Sequence, residues 1–343
     1  MWVKIAVGLA TPFLALVLVV GVLIASHRTS MPALTLPSVS SANVTTSSSA
    51  RTSISNDRCL GRVSEHFAGL AVKKGVMQTA GSFAQATGHA PQVVEFYNPL
   101  RKEFASGEAK AVIKAGEIPF IQLNPKGAPP SEIAAGKFDK QLREYASAVK
   151  AFGCAIILSF GHEMNGWWYR WGEHWTSPQE FIAAWRHIHN IFTSVGASNV
   201  TWSWDPSHQY NQVGVGKVAS PASEWYPGSK YVDIVGLDGY LGYDKNRRPQ
   251  NFKEVFSFQL RDIRRVAPHK LVYLAETGVA PGPAAKMQIK ALFAGLKAYH
   301  LSGLVWFDAV GQPGGLGKTK DYRLQHLPEE ARVYTKQLGD FLG

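Results

Sequence analysis

From Arg58 to Gly343 the chain repeats one pattern, a short apolar run followed by a longer amphipathic stretch. The apolar runs are His66–Val72, Gln92–Tyr97, Pro119–Leu123, Ala155–Phe160, Val200–Trp204, Val232–Leu237, Leu271–Ala275 and Gly303–Trp306. Near-continuous apolar strands belong in a parallel sheet covered on both faces. The stretches between them read as helices. Lys137–Phe152 carries Phe138, Leu142, Tyr145 and Val149 at helical spacing. Ser177–Val195 opens with a Ser N-cap and a Pro at the first helical position. Phe252–Val266, Pro283–His300 and Pro328–Leu342 complete the clearest set. Eight such units predict an α/β fold, a closed (β/α)8 TIM barrel over residues 58–343. A doubly wound open sheet is the competing architecture. It would carry a glycine-rich phosphate loop after an early strand, and the sequence has none.

In a barrel of this kind the C-terminal strand ends converge on one face, where active sites lie. The fourth strand end is the most unusual. In IILSFGHEMNGWWYRWG, Ile156 to Gly172, the apolar run stops at Gly161 and presents His162 and Glu163. Asn165-Gly166 supplies a turn, and Trp167, Trp168, Tyr169 and Trp171 follow within five residues. A carboxyl group beside aromatic surface suits sugar-ring chemistry, with the carboxyl handling the proton and the indoles stacking on apolar ring faces. The fifth strand runs into Asp205, the sixth into Asp238 and Tyr240, the seventh (LVYLAETG) into Glu276, and the eighth into Trp306 and Asp308.

GHEMNGWWYRWG resembles the acid/base signature of glycoside hydrolase family 26. The resemblance implies a retaining endo-glycosidase acting on a β-linked polysaccharide, β-1,4-mannan first, by double displacement. It implies Glu163 as general acid/base and Glu276 as nucleophile. In retaining hydrolysis two such carboxyl groups stand about 5–5.5 Å apart. The resemblance also implies that His162 orients the sugar or tunes Glu163, and that Tyr240 hydrogen-bonds the nucleophile. Trp306 is expected as a platform beneath the sugar, and Trp171 and Trp168 as the lining of further subsites. Asn165 is expected to hold the loop rather than touch the chemistry. A mixed-linkage glucanase, an envelope polysaccharide hydrolase and a transglycosylase are alternatives within the family. A non-catalytic polysaccharide-binding protein is a weaker one, because both glutamates are present.

No cofactor or metal is implied. A zinc-protease motif would need a second His where Gly166 stands, and no P-loop or G-x-S-x-G elbow occurs. The net charge of +11 reads first as a solubilising surface, and it suits an anionic environment such as a cell envelope, a phospholipid surface or an acidic polysaccharide. Nucleic acid is not expected as a partner, since the basic residues are scattered and no recognition motif accompanies them. A monomer is expected.

Ahead of the barrel, Ile5 to Ala25 is almost wholly apolar, long enough to span a bilayer and longer than the usual signal-peptide core. Residues 1–28 are therefore read as a signal anchor, with a cleaved signal peptide second. Residues 29–57, rich in Ser and Thr and without an acidic residue before Asp57, read as a disordered linker. The folded part is accordingly expected outside the cytoplasm, tethered or secreted. Cys59 and Cys154 are the only cysteines, and a bridge between them would close a long loop, worth up to about 4–5 kcal/mol in the chain-entropy account.

Overall fold

The computed structural model describes residues 66–208, 219–244, 246–311 and 320–343, all within the compact unit Ser53–Gly343. The strands are β1 (Phe67–Val72), β2 (Val93–Pro99), β3 (Ile118–Asn124), β4 (Ile156–Phe160), β5 (Val200–Trp204), β6 (Ile234–Val235), β7 (Asp238–Leu241), β8 (Leu271–Val272), β9 (Leu274–Val279) and β10 (Gly303–Phe307). The helices are α1 (Val76–Thr87), α2 (Ser106–Ala115), α3 (Pro130–Ala134), α4 (Asp139–Phe152), α5 (Pro178–Val195), α6 (Phe252–Val266), α7 (Ala285–Ala298) and α8 (Pro328–Leu342). Between named strands every pairing is parallel, in the order β7-β9-β10-β1-β2-β3-β4-β5-β6-β8.

That order contains a closure. The sixth strand comes in two halves, β6 within the apolar run and β7 just after it, and the seventh likewise in two, β8 and β9. The first halves pair at one end of the sheet and the second halves at the other, so the sheet curls back on itself. This is the (β/α)8 arrangement that the alternating pattern predicts, with two interrupted strands. The interruptions are bridged by Tyr273 N–H to Val235 O and Ala275 N–H to Leu237 O, at 3.0 and 3.2 Å.

Alternate residues of each strand face opposite ways, and the core divides accordingly. Leu70, Val94, Ile121, Leu158, Leu304 and Trp306 pack outward against the helices. Phe67, Val93, Phe120, Ile157, Tyr273 and Phe307 pack into the barrel interior. The helices start where the sequence directs them. Ser177 caps α5 and Asn251 caps α6, each in a capping box with the Glu at N3 (Glu180, Glu254), which satisfies two otherwise orphaned N–H groups per helix.

The apolar run Ile5–Ala25, the Ser/Thr-rich stretch and Cys59 lie outside the described residues. Among the described residues no helix is long and apolar enough to cross a membrane. Cys154 is disulfide-bonded.

Candidate active site

β4 delivers Glu163 through two unusual backbone turns. Gly161 has φ 58° and Glu163 itself φ 54°. A left-handed conformation is uncommon for a residue with a side chain and concentrates at functional sites, where surrounding contacts hold it. Here the Glu163 N–H is fixed to the Asp205 carbonyl of the β5 end at 2.8 Å. Asn165, fully buried, pins the same loop to the segment after β5. Its amide donates to the Ser207 and Ser220 carbonyls at 3.0 and 2.9 Å, and its Oδ1 accepts the Ser207 N–H at 2.8 Å. Asn165 thus holds the loop, as expected from the sequence. Gly166 is required by packing, because a Cβ there would lie 2.4 Å from the Trp168 ring.

Glu276 reaches the interior by a different device. Ala275, its neighbour, already faces inward, so simple alternation would send Glu276 out towards the helices. Leu304 is opposite Leu274 but Trp306 is opposite Thr277, so β9 carries one residue more than β10 across this step. Such a bulge re-aims a side chain. The Glu276 carboxylate then accepts hydrogen bonds from two phenols, Tyr97 on Oε1 and Tyr240 on Oε2.

The two carboxyl groups share one electrostatic environment. Burial first, and then the nearby Glu276 charge, raise the Glu163 pKa to about 8, against the opposing pull of hydrogen bonds from the Trp168 indole N–H, 2.7 Å from Oε2, and from Ser207. Burial also raises Glu276, and the Tyr240 and Tyr97 hydroxyls and the Lys73 charge offset part of that rise. One carboxyl is therefore held protonated near neutrality and its neighbour is surrounded by donors that favour the anion. Divergent environments of this kind are what an acid paired with a base or nucleophile requires.

His162 is buried, with Nε2 3.3 Å from the Tyr169 hydroxyl. Burial lowers its pKa to about 3, so it is a neutral imidazole at ordinary pH. Its ring lies 5.7 Å from that of Tyr97, which places it beside the carboxyl pair. Tyr240 and Trp168 sit against Glu276 and Glu163 respectively, Trp168 through its N–H to the acid rather than as a distant subsite wall.

Two expected aromatic surfaces are placed elsewhere. Trp306 is 1% exposed, donates to the Tyr322 carbonyl at 2.9 Å and packs edge-on against Tyr334 of α8. It points into the helix layer, because it shares the outward parity of Leu304, and cannot lie beneath a sugar. Trp171 is 6% exposed, stacks on Tyr169 at 4.3 Å and donates to the His162 carbonyl at 2.8 Å. It buttresses the loop from below. Phe307, one residue on from Trp306, is the aromatic that faces inward.

Beneath the pair lies a buried acidic layer. Asp205 accepts from Ser203 at 2.5 Å and from Gln122 at 3.1 Å. Asp238 stands opposite Glu276 in register and has no hydrogen-bond partner for its carboxyl group among the described residues. Glu95 on β2 is fully buried nearby. Burial raises Glu95 and Asp238 well above the carboxylate range, and the charge of Glu276 raises both further. Tyr97 and Glu95 were not singled out in the sequence. Their signal is the even spacing Val93, Glu95, Tyr97 on the inward face of β2, where an acid interrupts an otherwise apolar strand.

With this geometry in hand, comparison with known proteins is informative. Residues 71–300 match the family model described as glycosyl hydrolase family 26. The chain belongs to glycosyl hydrolase family 26. It is 31% identical over 241 residues to Endoglucanase H of Acetivibrio thermocellus, covering 67% of this chain and 25% of that protein. It is 27% identical over 177 residues to a mannan endo-1,4-beta-mannosidase of Bacillus subtilis, covering 46% of this chain and 44% of the relative. The chain thus spans less than half the length of these family 26 relatives. Among solved structures, GH26A from a Muricauda species superimposes with TM-score 0.57 at 18% identity, over 81% of this chain and 91% of that one. A modular endo-beta-1,4-mannanase from Cellulomonas fimi gives TM-score 0.56 at 18% identity, over 78% and 70%. At such identities the likeness establishes the family 26 fold alone.

Proposed function

We propose that this family 26 protein is a retaining endo-glycosidase that cleaves a β-linked polysaccharide, with β-1,4-mannan as the first substrate to test. The observation that carries the reading is the asymmetry of the carboxyl pair. Glu163 is half-buried, protonated near neutrality and held by Trp168, while Glu276 accepts from two phenols. In this reaction Glu163 gives its proton to the glycosidic oxygen as Glu276 attacks the anomeric carbon. The resulting glycosyl-enzyme is hydrolysed by a water that Glu163, now the base, deprotonates. Tyr97 and Tyr240 keep the nucleophile ionised and release it as the new C–O bond forms. His162, neutral at Nδ1 and Nε2 apart from its one ring proton, serves as a hydrogen-bonding partner for the sugar rather than a charge.

The relatives named mannan endo-1,4-beta-mannosidase support mannan. Endoglucanase H, the relative with 31% identity, supports a β-glucan as the second reading. The loops Tyr210–Trp225 and Gly311–Lys320, which would separate these substrates, lie largely outside the described residues. Polysaccharide chains are too large to enter a cytoplasm intact, and this agrees with the extracytoplasmic placement inferred from Ile5–Ala25, with the barrel acting as a tethered or secreted monomer.

The test is hydrolysis of mannan and lichenan by the full-length chain, with the anomeric configuration of the first-formed product read by NMR. A β-configured product, abolished by Glu276→Ala, is the expected result. In Glu163→Ala, substrates with good leaving groups should still glycosylate the enzyme, and added azide should capture the intermediate. An α-configured first product, or undiminished turnover in either variant, would overturn the assignment.

A further inference from the structure

Lys320 is half-buried and has no counter-charge among the described residues. It makes no ion pair or side-chain hydrogen bond among the described residues, and the internal stretches outside them, 209–218, 245 and 312–319, contain no Asp or Glu. The acid next to it in sequence, Asp321, is already taken by Arg323 at 2.7 Å and His326 at 3.0 Å. A cation removed from water is unfavourable unless something pairs with it, so its position calls for a partner.

Its position is at the mouth. The Lys320 carbonyl accepts from Gly311 N–H at 2.8 Å, just beyond the end of β10. Its Nζ lies 3.3 Å from where a Cβ on Gly242 would stand, just beyond β7. Between these strand ends Tyr240, Tyr322 and Phe307 form one aromatic cluster, with ring centroids 5.1, 5.9 and 5.8 Å apart. Tyr240 is the residue that donates to Glu276. On the other side of the cluster, Lys73 holds its Nζ 4.9 Å over the Phe307 ring and 3.2 Å from the Val310 carbonyl. Two ammonium groups therefore border a largely buried aromatic cluster whose half-buried member, Tyr240, touches Glu276.

We propose that Lys320, with Lys73 across the cluster, forms a subsite for a carboxylate on the polysaccharide, so that the preferred substrate carries uronic acid residues rather than only neutral sugars. Tyr240, half-buried, is the one ring of the three left open to a sugar, and the ammonium groups take the sugar's acid, a contact that neutral mannan would leave unused. Charge-assisted hydrogen bonds in a partly buried site are the strong ones. This rests on the glycosidase reading above, and the test separates the two.

The probe is a matched pair, β-1,4-mannan and the same mannan partly oxidised at C6 to mannuronate, given to the full-length chain. The expected result is a kcat/KM for the oxidised polymer roughly tenfold or more above that for the neutral one, the size of one charged hydrogen bond. Lys320→Gln should collapse that ratio towards one, and Lys320→Arg should keep most of it. Lys110→Gln, which removes the same charge from α2 on the outside of the barrel, should leave the ratio intact and so control for the general attraction of a basic protein to a polyanion. Gel retardation by each polymer reads binding without turnover. Cleavage of neutral mannan with no preference for the oxidised polymer, or a preference that survives Lys320→Gln, sinks the subsite and leaves the hydrolase. Retardation by the oxidised polymer that depends on Lys320, with no polymer cleaved, sinks the hydrolase and leaves the subsite.

Discussion

The indole N–H of Trp168 points at Oε2 of Glu163, 2.7 Å away, five residues along the same loop. A donor to a carboxyl oxygen favours the anion, so this contact opposes the burial that otherwise raises the Glu163 pKa. Trp168→Phe keeps an aromatic ring and removes the donor. The Glu163 pKa should then rise beyond its present value of about 8. In the proposed mechanism the first step uses the protonated acid, so the alkaline limb of the kcat/KM profile should move to higher pH. Deglycosylation, which uses the anion as base, should slow by about threefold to tenfold. An alkaline limb that stays put would show that Trp168 does not set the acid.

Tyr97 and Tyr240 act on the other carboxylate, one on each oxygen. Replacing either with Phe removes a donor that favours the charged nucleophile, so the Glu276 pKa should rise. The sign follows directly: the nucleophile must be ionised, so the acidic limb of the profile should also move to higher pH. Loss of one such preorganised donor reduces kcat by about 10²–10³ in comparable sites. The double variant should lose less than the product of the single effects, since both donors serve one group. Full additivity would mean the two phenols act on separate steps.

Trp306 and Phe307 are neighbours with opposite duties. Trp306 fills the helix layer and Phe307 the interior below the mouth. Trp306→Ala should therefore destabilise the barrel by about 3–5 kcal/mol, the usual effect of emptying a large aromatic site. Trp306→Phe, which keeps most of that packing, should leave KM near its original value. The checks are urea unfolding and steady-state kinetics. A large rise in KM for Trp306→Phe at unchanged stability would restore Trp306 to the sugar-binding surface.

These assignments show where sequence stops being legible. Six of the eight apolar runs match their strands to within two residues at each end, and Ser177-Pro178 marks the start of α5, because hydrophobic period and capping are local properties. The Glu163 motif was legible because its composition is unusual. Face was not. Trp306 looks like a platform until strand parity puts it with Leu304, and Glu276 looks misdirected until the bulge opposite β10 turns it inward. Neither the bulge nor the splitting of the sixth and seventh strands has a local signature, since both are settled by what pairs across the sheet. Tyr97 was hidden for a related reason. It lies 179 positions from the carboxylate it serves, and a Tyr at the end of an apolar strand looks like packing until the barrel closes.

Glu95 sits under this machinery, fully buried on β2, with its carboxyl held protonated by burial and by the charges of Glu276 and Asp205. In the unfolded chain a Glu titrates near 4.3, to within about a unit. Below that pH both states keep the proton and the group has no effect on stability. Above it the unfolded chain releases the proton and the folded protein does not, so stability falls as pH rises from there towards the folded-state value. Glu95→Gln keeps the shape and hydrogen-bonding capacity of the neutral acid but cannot ionise in either state. The variant should therefore resist urea better than the parent at pH 7, and the difference should vanish near pH 4. A variant less stable than the parent at pH 7, or a gap that widens on acidification, would mean that Glu95 is ionised in the fold and paired with a charge.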